Sequence, residues 1–219
     1  IGVTHLISLG AVGSLREEIE PGHMVFPDQF IDLTRHRKST FFGNGVVGHV
    51  QFGDPVCSEL SGKLVEAAQS VGATMHEGGT YICMEGPAFS SRAESLLYRS
   101  WGADVIGMTN AQEAKLAREA EMAFASIALA TDYDCWHPDH EAVTVEQVAG
   151  VMTKNTLIAK QIIEGFASQT QSQREACPSG ADTALDDAVM TNLKHLSAEE
   201  RDRFTAIAGR LLNNKGSDR

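Results

Sequence analysis

The segment Ala123-Phe124-Ala125-Ser126-Ile127-Ala128-Leu129-Ala130, followed at once by Thr131-Asp132-Tyr133-Asp134-Cys135-Trp136, decides how this chain reads. Small apolar residues in an unbroken run suit a strand covered on both faces, as at the centre of a parallel sheet. The strand runs out into two acids separated by one residue, which on an extended backbone point to the same side. A lone pair of this kind is ordinarily a solvated loop feature. At the end of a buried strand, where open sheets place their ligands, it suits a partly closed pocket in which burial raises a carboxyl pKa and permits proton donation.

Working outward, strands and helices alternate. Val3 to Leu9 reads as a buried strand giving way to a glycine-bearing loop, Gly10-Ala11-Val12-Gly13-Ser14. Met24 to Pro27 is a short strand after the turn Glu20-Pro21-Gly22. Residues Thr34 to Gly48 read as an exposed excursion. Ser58 to Val71 has helical spacing closed by Gly72, and Gly79 to Met84 reads as a strand stopping at Glu85-Gly86-Pro87. Ser90 is positioned to cap the next helix. Asp104 to Met108 is a further strand, Asn110 caps a helix through Ala120, and Thr144 to Phe166 is a long amphipathic helix. The alternation predicts an α/β fold whose central, mostly parallel, mixed sheet is flanked by helices. A polar linker and a helical tail follow, so the chain divides into an α/β unit over residues 1–168 and an extension over 169–219.

Composition excludes some classes. The net charge of −11 argues against a nucleic-acid binder, which needs a basic stripe. No apolar run reaches the roughly 18 residues of a membrane span. Cys57, Cys83, Cys135 and Cys177 are scattered, without a C-x-x-C pair, and read as reduced thiols of a cytoplasmic protein. Only His137 to Glu141 offers closely spaced metal-ligating side chains, and no metal is expected. A chain that opens on Ile1 and enters a buried strand implies residues upstream of it.

Three further stretches stand at strand ends. In Glu85-Gly86-Pro87-Ala88-Phe89-Ser90 the turn presents Phe89, which either stacks on a base or sugar or packs the core. In Gly107-Met108-Thr109-Asn110, Thr109 lies at a helix start where free N–H groups suit an anion; a plain N-cap is the compatible alternative. Gly10 to Ser14 lacks both the P-loop and the dinucleotide fingerprint.

Together with Gly13-Ser14-Leu15-Arg16-Glu17-Glu18, Pro27-Asp28-Gln29-Phe30-Ile31-Asp32 and Trp101-Gly102-Ala103-Asp104-Val105-Ile106-Gly107-Met108-Thr109, these motifs in this order resemble the trimeric purine nucleoside phosphorylase family, within it the branch that cleaves 5′-methylthioadenosine. The resemblance covers about residues 1–166. It implies phosphorolysis of methylthioadenosine to adenine and 5-methylthioribose 1-phosphate, with inorganic phosphate as co-substrate, no cofactor, and a homotrimer with sites at subunit borders. By the same resemblance Asp132 faces purine N7 and donates or shares a proton, and Asp134 accepts from the 6-amino group. Phe89, Ser90, Ile106, Val12 and Gly13 belong to the base and sugar pocket, and Met108 packs on the ribose. Val145 and Val148 wall the methylthio group. Thr109 binds phosphate with the backbone N–H groups of Gly10 and Ala11. The family usually has Ser or Thr at the place of Gly10, which weakens the expected grip on phosphate. Its other phosphate contacts fall upstream of Ile1, so activity is expected of a longer parent and little of this chain alone. The alternatives are a methylthioinosine or general purine nucleoside phosphorylase, and a non-catalytic nucleoside-binding relative.

Overall fold

In the computed structural model, residues 2–138, 145–169 and 176–213 are described. Seven strands form one mixed sheet: β1 (His5–Ser14), β2 (Met24–Phe26), β3 (Gln29–Asp32), β4 (Met75–Glu77), β5 (Thr80–Cys83), β6 (Val105–Gly107) and β7 (Ala123–Asp132), ordered β3-β5-β6-β1-β7-β2-β4. β7 is buried along nearly its whole length, as its composition requires. It pairs in parallel with β1 from His5–Ala123 to Val12–Ala130 and antiparallel with β2. β6 runs antiparallel to β1 and parallel to β5.

Among the described residues five α-helices accompany the sheet: α1 (Ser58–Ser70), α2 (Arg92–Ser100), α3 (Ala111–Glu119), α4 (Val145–Gln169) and α5 (Ala198–Asn213). Leu60 and Leu64 of α1 and Ile162 of α4 share a core with Phe124, Ile127 and Leu129. Near α2, Tyr98 and Ala103 pack with Leu15, Ile82, Ile106 and Trp136. These packings lock β1, β6 and β7, whose ends carry the chemistry.

Three local expectations are corrected, and two short strands went unread. Gly10 to Ser14 is not a loop, because β1 continues to Ser14. With β7 on one side and β6 on the other, the sheet satisfies the backbone there, and pairing outweighs the glycine signal. The outer strands β3 and β4 were not legible in full, being three or four residues long and too short for a period to show. Ser91, not Ser90, caps α2: its hydroxyl accepts from Glu94 N–H while the Glu94 carboxylate accepts from Ser91 N–H. Asn110 stands at the cap position of α3 but makes no side-chain cap.

The excursion after β3 is tied down. Thr40 Oγ1 and Phe41 N–H both donate to Glu119 on α3, at 2.7 and 2.6 Å. The tail forms a small separate core, where Leu185, Phe204 and Ala208 bury Val46 and Phe42 packs against them.

Candidate active site

The geometry begins with a bulge. β1 and β7 stay in register to Val12–Ala130, and then Gly13 pairs with Asp132. The extra residue is Thr131, so Asp132 comes opposite Gly13 instead of Ser14. Bulges re-aim side chains in this way, and here the re-aimed side chain is the first acid. The second arrives by a turn. Asp134 has a left-handed backbone, φ 50°, and its N–H donates to Asp132 Oδ1 at 2.8 Å. The two acids therefore converge through a turn, not along the strand extension expected from the sequence. Thr131 Oγ1 donates to Asp132 Oδ2 at 2.7 Å.

Gly13 makes room for this cluster. A Cβ there would stand 3.0 Å from Asp132 Oδ1, 3.2 Å from Asp134 Cβ and 3.2 Å from Ile106 Cγ2. Burial pushes the Asp132 carboxyl above its ordinary range, against the hydrogen bonds from Thr131 and Asp134. Burial does the same to Asp134, aided by the Asp132 charge and opposed by Ser95. Asp134 Oδ2 is buried without a hydrogen-bond partner. An acceptor in that state is satisfied when a donor enters, and an exocyclic amine supplies one.

The loop carrying the acids is fixed from behind. Trp136 Nε1 donates to Ser14 O at 2.8 Å, Tyr133 Oη donates to Glu17 O at 3.1 Å, and the Arg99 guanidinium lies over the Trp136 ring at 3.3 Å.

Further along β1 lies a second centre. A Cβ on Gly10 would stand 3.5 Å from Thr109 Oγ1, so the two residues face one another. Thr109 is exposed, and the next residue, Asn110, is fully buried with φ 82°. Its amide donates to Ser126 Oγ on β7 at 2.9 Å, which is why it does not cap α3. Gly13 lies three residue steps beyond Gly10 along β1, about 10 Å at strand rise, which fits an anion at one end and a base at the other.

Other expected residues are placed unevenly. Ile106 is buried beside Gly13, and Met108 is half-buried, reaching the Glu85 turn: a Cβ on Gly86 would meet its sulfur at 2.6 Å. Ser90 is buried, and its carbonyl accepts from Cys135 Sγ at 3.2 Å. The Val12 side chain is buried and packs the core with Val25, Tyr81, Val105 and Ala128. Phe89 is 64% exposed and lines an open groove of about 700 Å³ with Arg35, His36, Met84, Glu85 and Tyr98. Ala11 is exposed and Val148 half-buried, while the side chain of Val145 lies outside the described residues. Residues 139–144, including part of the His137 to Glu141 stretch, lie there too. Among the described residues no group of three or more His, Cys, Asp or Glu side chains is placed to hold a metal.

Two contributors were missed. Ser95, fully buried on α2, lies beside Asp134, and its inward placement follows from the cap at Ser91 one turn earlier. Tyr81 lies under Gly107, where a Cβ would meet its hydroxyl at 2.0 Å, next to Thr109. The glycine in Ile106-Gly107-Met108 was the signal for a close approach.

A strand-end pair of buried acids, with a threonine and glycine about 10 Å away, is the arrangement of a nucleoside-cleaving phosphorylase. The model of the Phosphorylase superfamily matches residues 1–168, and the chain belongs to that family. It is 56% identical over 210 residues to an S-methyl-5′-thioadenosine phosphorylase of Geobacter sulfurreducens, covering 95% of this chain and 72% of that protein. To a protein of the same name from Cereibacter sphaeroides it is 50% identical, over 97% of this chain and 73% of the other. Among solved structures, a methylthioadenosine phosphorylase from an antarctic soil metagenomic library superposes with a TM-score of 0.87 at 45% identity, covering 94% of this chain and 72% of that one. A methylthioadenosine phosphorylase from Schistosoma mansoni in complex with adenine superposes at 0.78 with 30% identity, covering 84% and 71%.

Proposed function

We propose that this chain forms the catalytic body of an enzyme that cleaves 5′-methylthioadenosine with inorganic phosphate, releasing adenine and 5-methylthioribose 1-phosphate. The observation that carries this reading is the convergence of Asp132 and Asp134 on Gly13 and Ile106. The names of its relatives agree with it. Phosphate, held by Thr109 and the backbone at Gly10 and Ala11, attacks the anomeric carbon. The bond to purine N9 breaks, its electrons pass into the base, and Asp132 delivers a proton to N7. Catalysis then consists of holding an anion beneath a cationic sugar and neutralising the departing base.

Asp134 accepts from the 6-amino group; a 6-oxo group there would oppose two acceptors. Met108, Ser90 and Ile106 shape the sugar and base pocket, and Val145 and Val148 give the methylthio group an apolar wall. Phe89, exposed at the Glu85 turn, is the aromatic offered to the base and sugar. In this reading inorganic phosphate is the co-substrate, and the chemistry assigns no step to a metal or a cofactor. We infer a homotrimer with sites at subunit borders, acting in the cytoplasm. Among the described residues no helix is long and apolar enough to cross a membrane.

The test is adenine release by the full-length protein from methylthioadenosine, methylthioinosine, adenosine and inosine, with and without phosphate. Release from methylthioadenosine that depends on phosphate or arsenate is expected. Release by water alone, or preference for the 6-oxopurines, overturns the reading.

A further inference from the structure

Arg37 sits in the excursion after β3, yet its guanidinium reaches the far side of the sheet edge. Nη1 donates to Met108 O and, at 3.3 Å, to Gln112 Oε1. Nη2 donates to Glu85 O at 2.7 Å and to Met84 O at 3.4 Å, and Nε lies 3.5 Å from Glu85 Oε1. The Glu85 carboxylate is itself tethered to the excursion by Arg35 N–H at 2.6 Å. One planar cation thus spans the carbonyls of two loops, those that carry Phe89 and Ser90 on one side and Met108 and Thr109 on the other. An ammonium, with three donors on one atom and no rigid fork, meets fewer of these acceptors at once.

Thr109 lies beside Gly10 and Tyr81. It is exposed, and the residue after it carries a strained backbone that stays put through the Asn110 amide on Ser126. The Met108–Thr109 peptide is therefore anchored at its two ends, by Asn110 toward the sheet and by Arg37 at the Met108 carbonyl. We propose that Arg37 is a positioning residue for the phosphate and sugar half of the site, fixing the Met108–Thr109 peptide against the Glu85 turn without touching substrate. The kinetic part of this proposal rests on the functional reading above, in which Thr109 binds phosphate.

Asp132 and Asp134 are not among the partners of Arg37, so its loss separates the two halves of the site. In the full-length protein, Arg37→Met raises KM for phosphate about tenfold, the scale of one charge-assisted hydrogen bond, and weakens adenine binding by clearly less, because Asp132 and Asp134 stay in place. Arg37→Lys shifts the same constant in the same direction by less. A role in folding alone would lower Tm with both constants intact, and that result overturns the proposal. So does an equal loss of phosphate and adenine affinity.

A second measurement does not depend on turnover. With the methionine methyls isotopically labelled, the chain has seven reporters, and Arg37→Met adds an eighth at the substituted position. Met108 and Met84 shift or broaden in Arg37→Met and Arg37→Lys, while the other five hold their positions. Unmoved Met108 and Met84 resonances in both variants overturn the clasp. If the unsubstituted protein releases no adenine with phosphate, the functional reading fails, and the methyl spectra alone decide Arg37.

Discussion

Asp132 and Asp134 carry opposite demands. Each is buried enough to disfavour its charge, and each must meet a polar edge of a base. An acid whose folded pKa is raised costs the fold most when ionised: its relative stabilisation is present below the unfolded carboxylate pKa and is lost as pH rises through the folded one. Asp134→Asn should therefore raise Tm at neutral pH, and the gain should vanish below about pH 4, the ordinary carboxylate pKa. Thermal melts across that range check it; a gain that persists in acid would contradict it. For catalysis the same shift means that kcat/KM falls as pH rises through a limb set above the ordinary carboxylate range. Asp132→Asn removes that limb and lowers methylthioadenosine turnover about 100-fold, the lower end of what a positioned proton donor contributes. It should favour methylthioinosine relative to methylthioadenosine, which a paired rate comparison will show.

At the scale of elements, the site depends on the β1–β7 bulge and on the first turn of α2. Gly13→Ala places a methyl within 3.0 to 3.2 Å of Asp132, Asp134 and Ile106, three sides of a cluster that cannot all yield. A loss of about 1–3 kcal/mol in denaturant unfolding is expected, as for other overpacked sites, with adenine binding weakened beside it. Ser91→Ala removes half of the capping box and should cost about 1 kcal/mol. Here lies the lesson of the sequence. β7 and its two acids were legible because a long apolar run ending in D-x-D is a strong local pattern. The bulge at Thr131 was not, since it exists only in the register with β1. The extension of β1 through Gly10 to Ser14 was hidden for the same reason, local glycine content being opposed by sheet pairing. Ser95 and Arg37 were missed because their partners lie 39 residues away at Asp134 and 71 away at Met108. Neither separation leaves a trace in local spacing.

Across the whole molecule, the tail packs on the excursion, which Arg37 and Glu119 tie to the body. Phe204 stacks obliquely on Phe42 with centroids 5.9 Å apart, and Arg210 pairs with Glu121 and, at 2.5 Å, with Asp186. Truncating Phe204 to Ala opens a cavity worth about 3 kcal/mol in a small cluster. Because that cluster is separate from the β7 core, hydrogen exchange should quicken in α5 and around Val46 while β7 amides keep their protection. Uniform loss of protection would show that the tail and body unfold as one.

The most direct probe is nitrogen NMR of labelled adenine bound to the protein, because it reports the base edge without requiring phosphate or turnover. If Asp132 meets the ring, N7 moves far upfield of its free position as it gains a proton or a strong hydrogen bond, and the shift shrinks in Asp132→Asn. An N7 resonance that stays at its free position in a saturated complex would contradict the proposed chemistry.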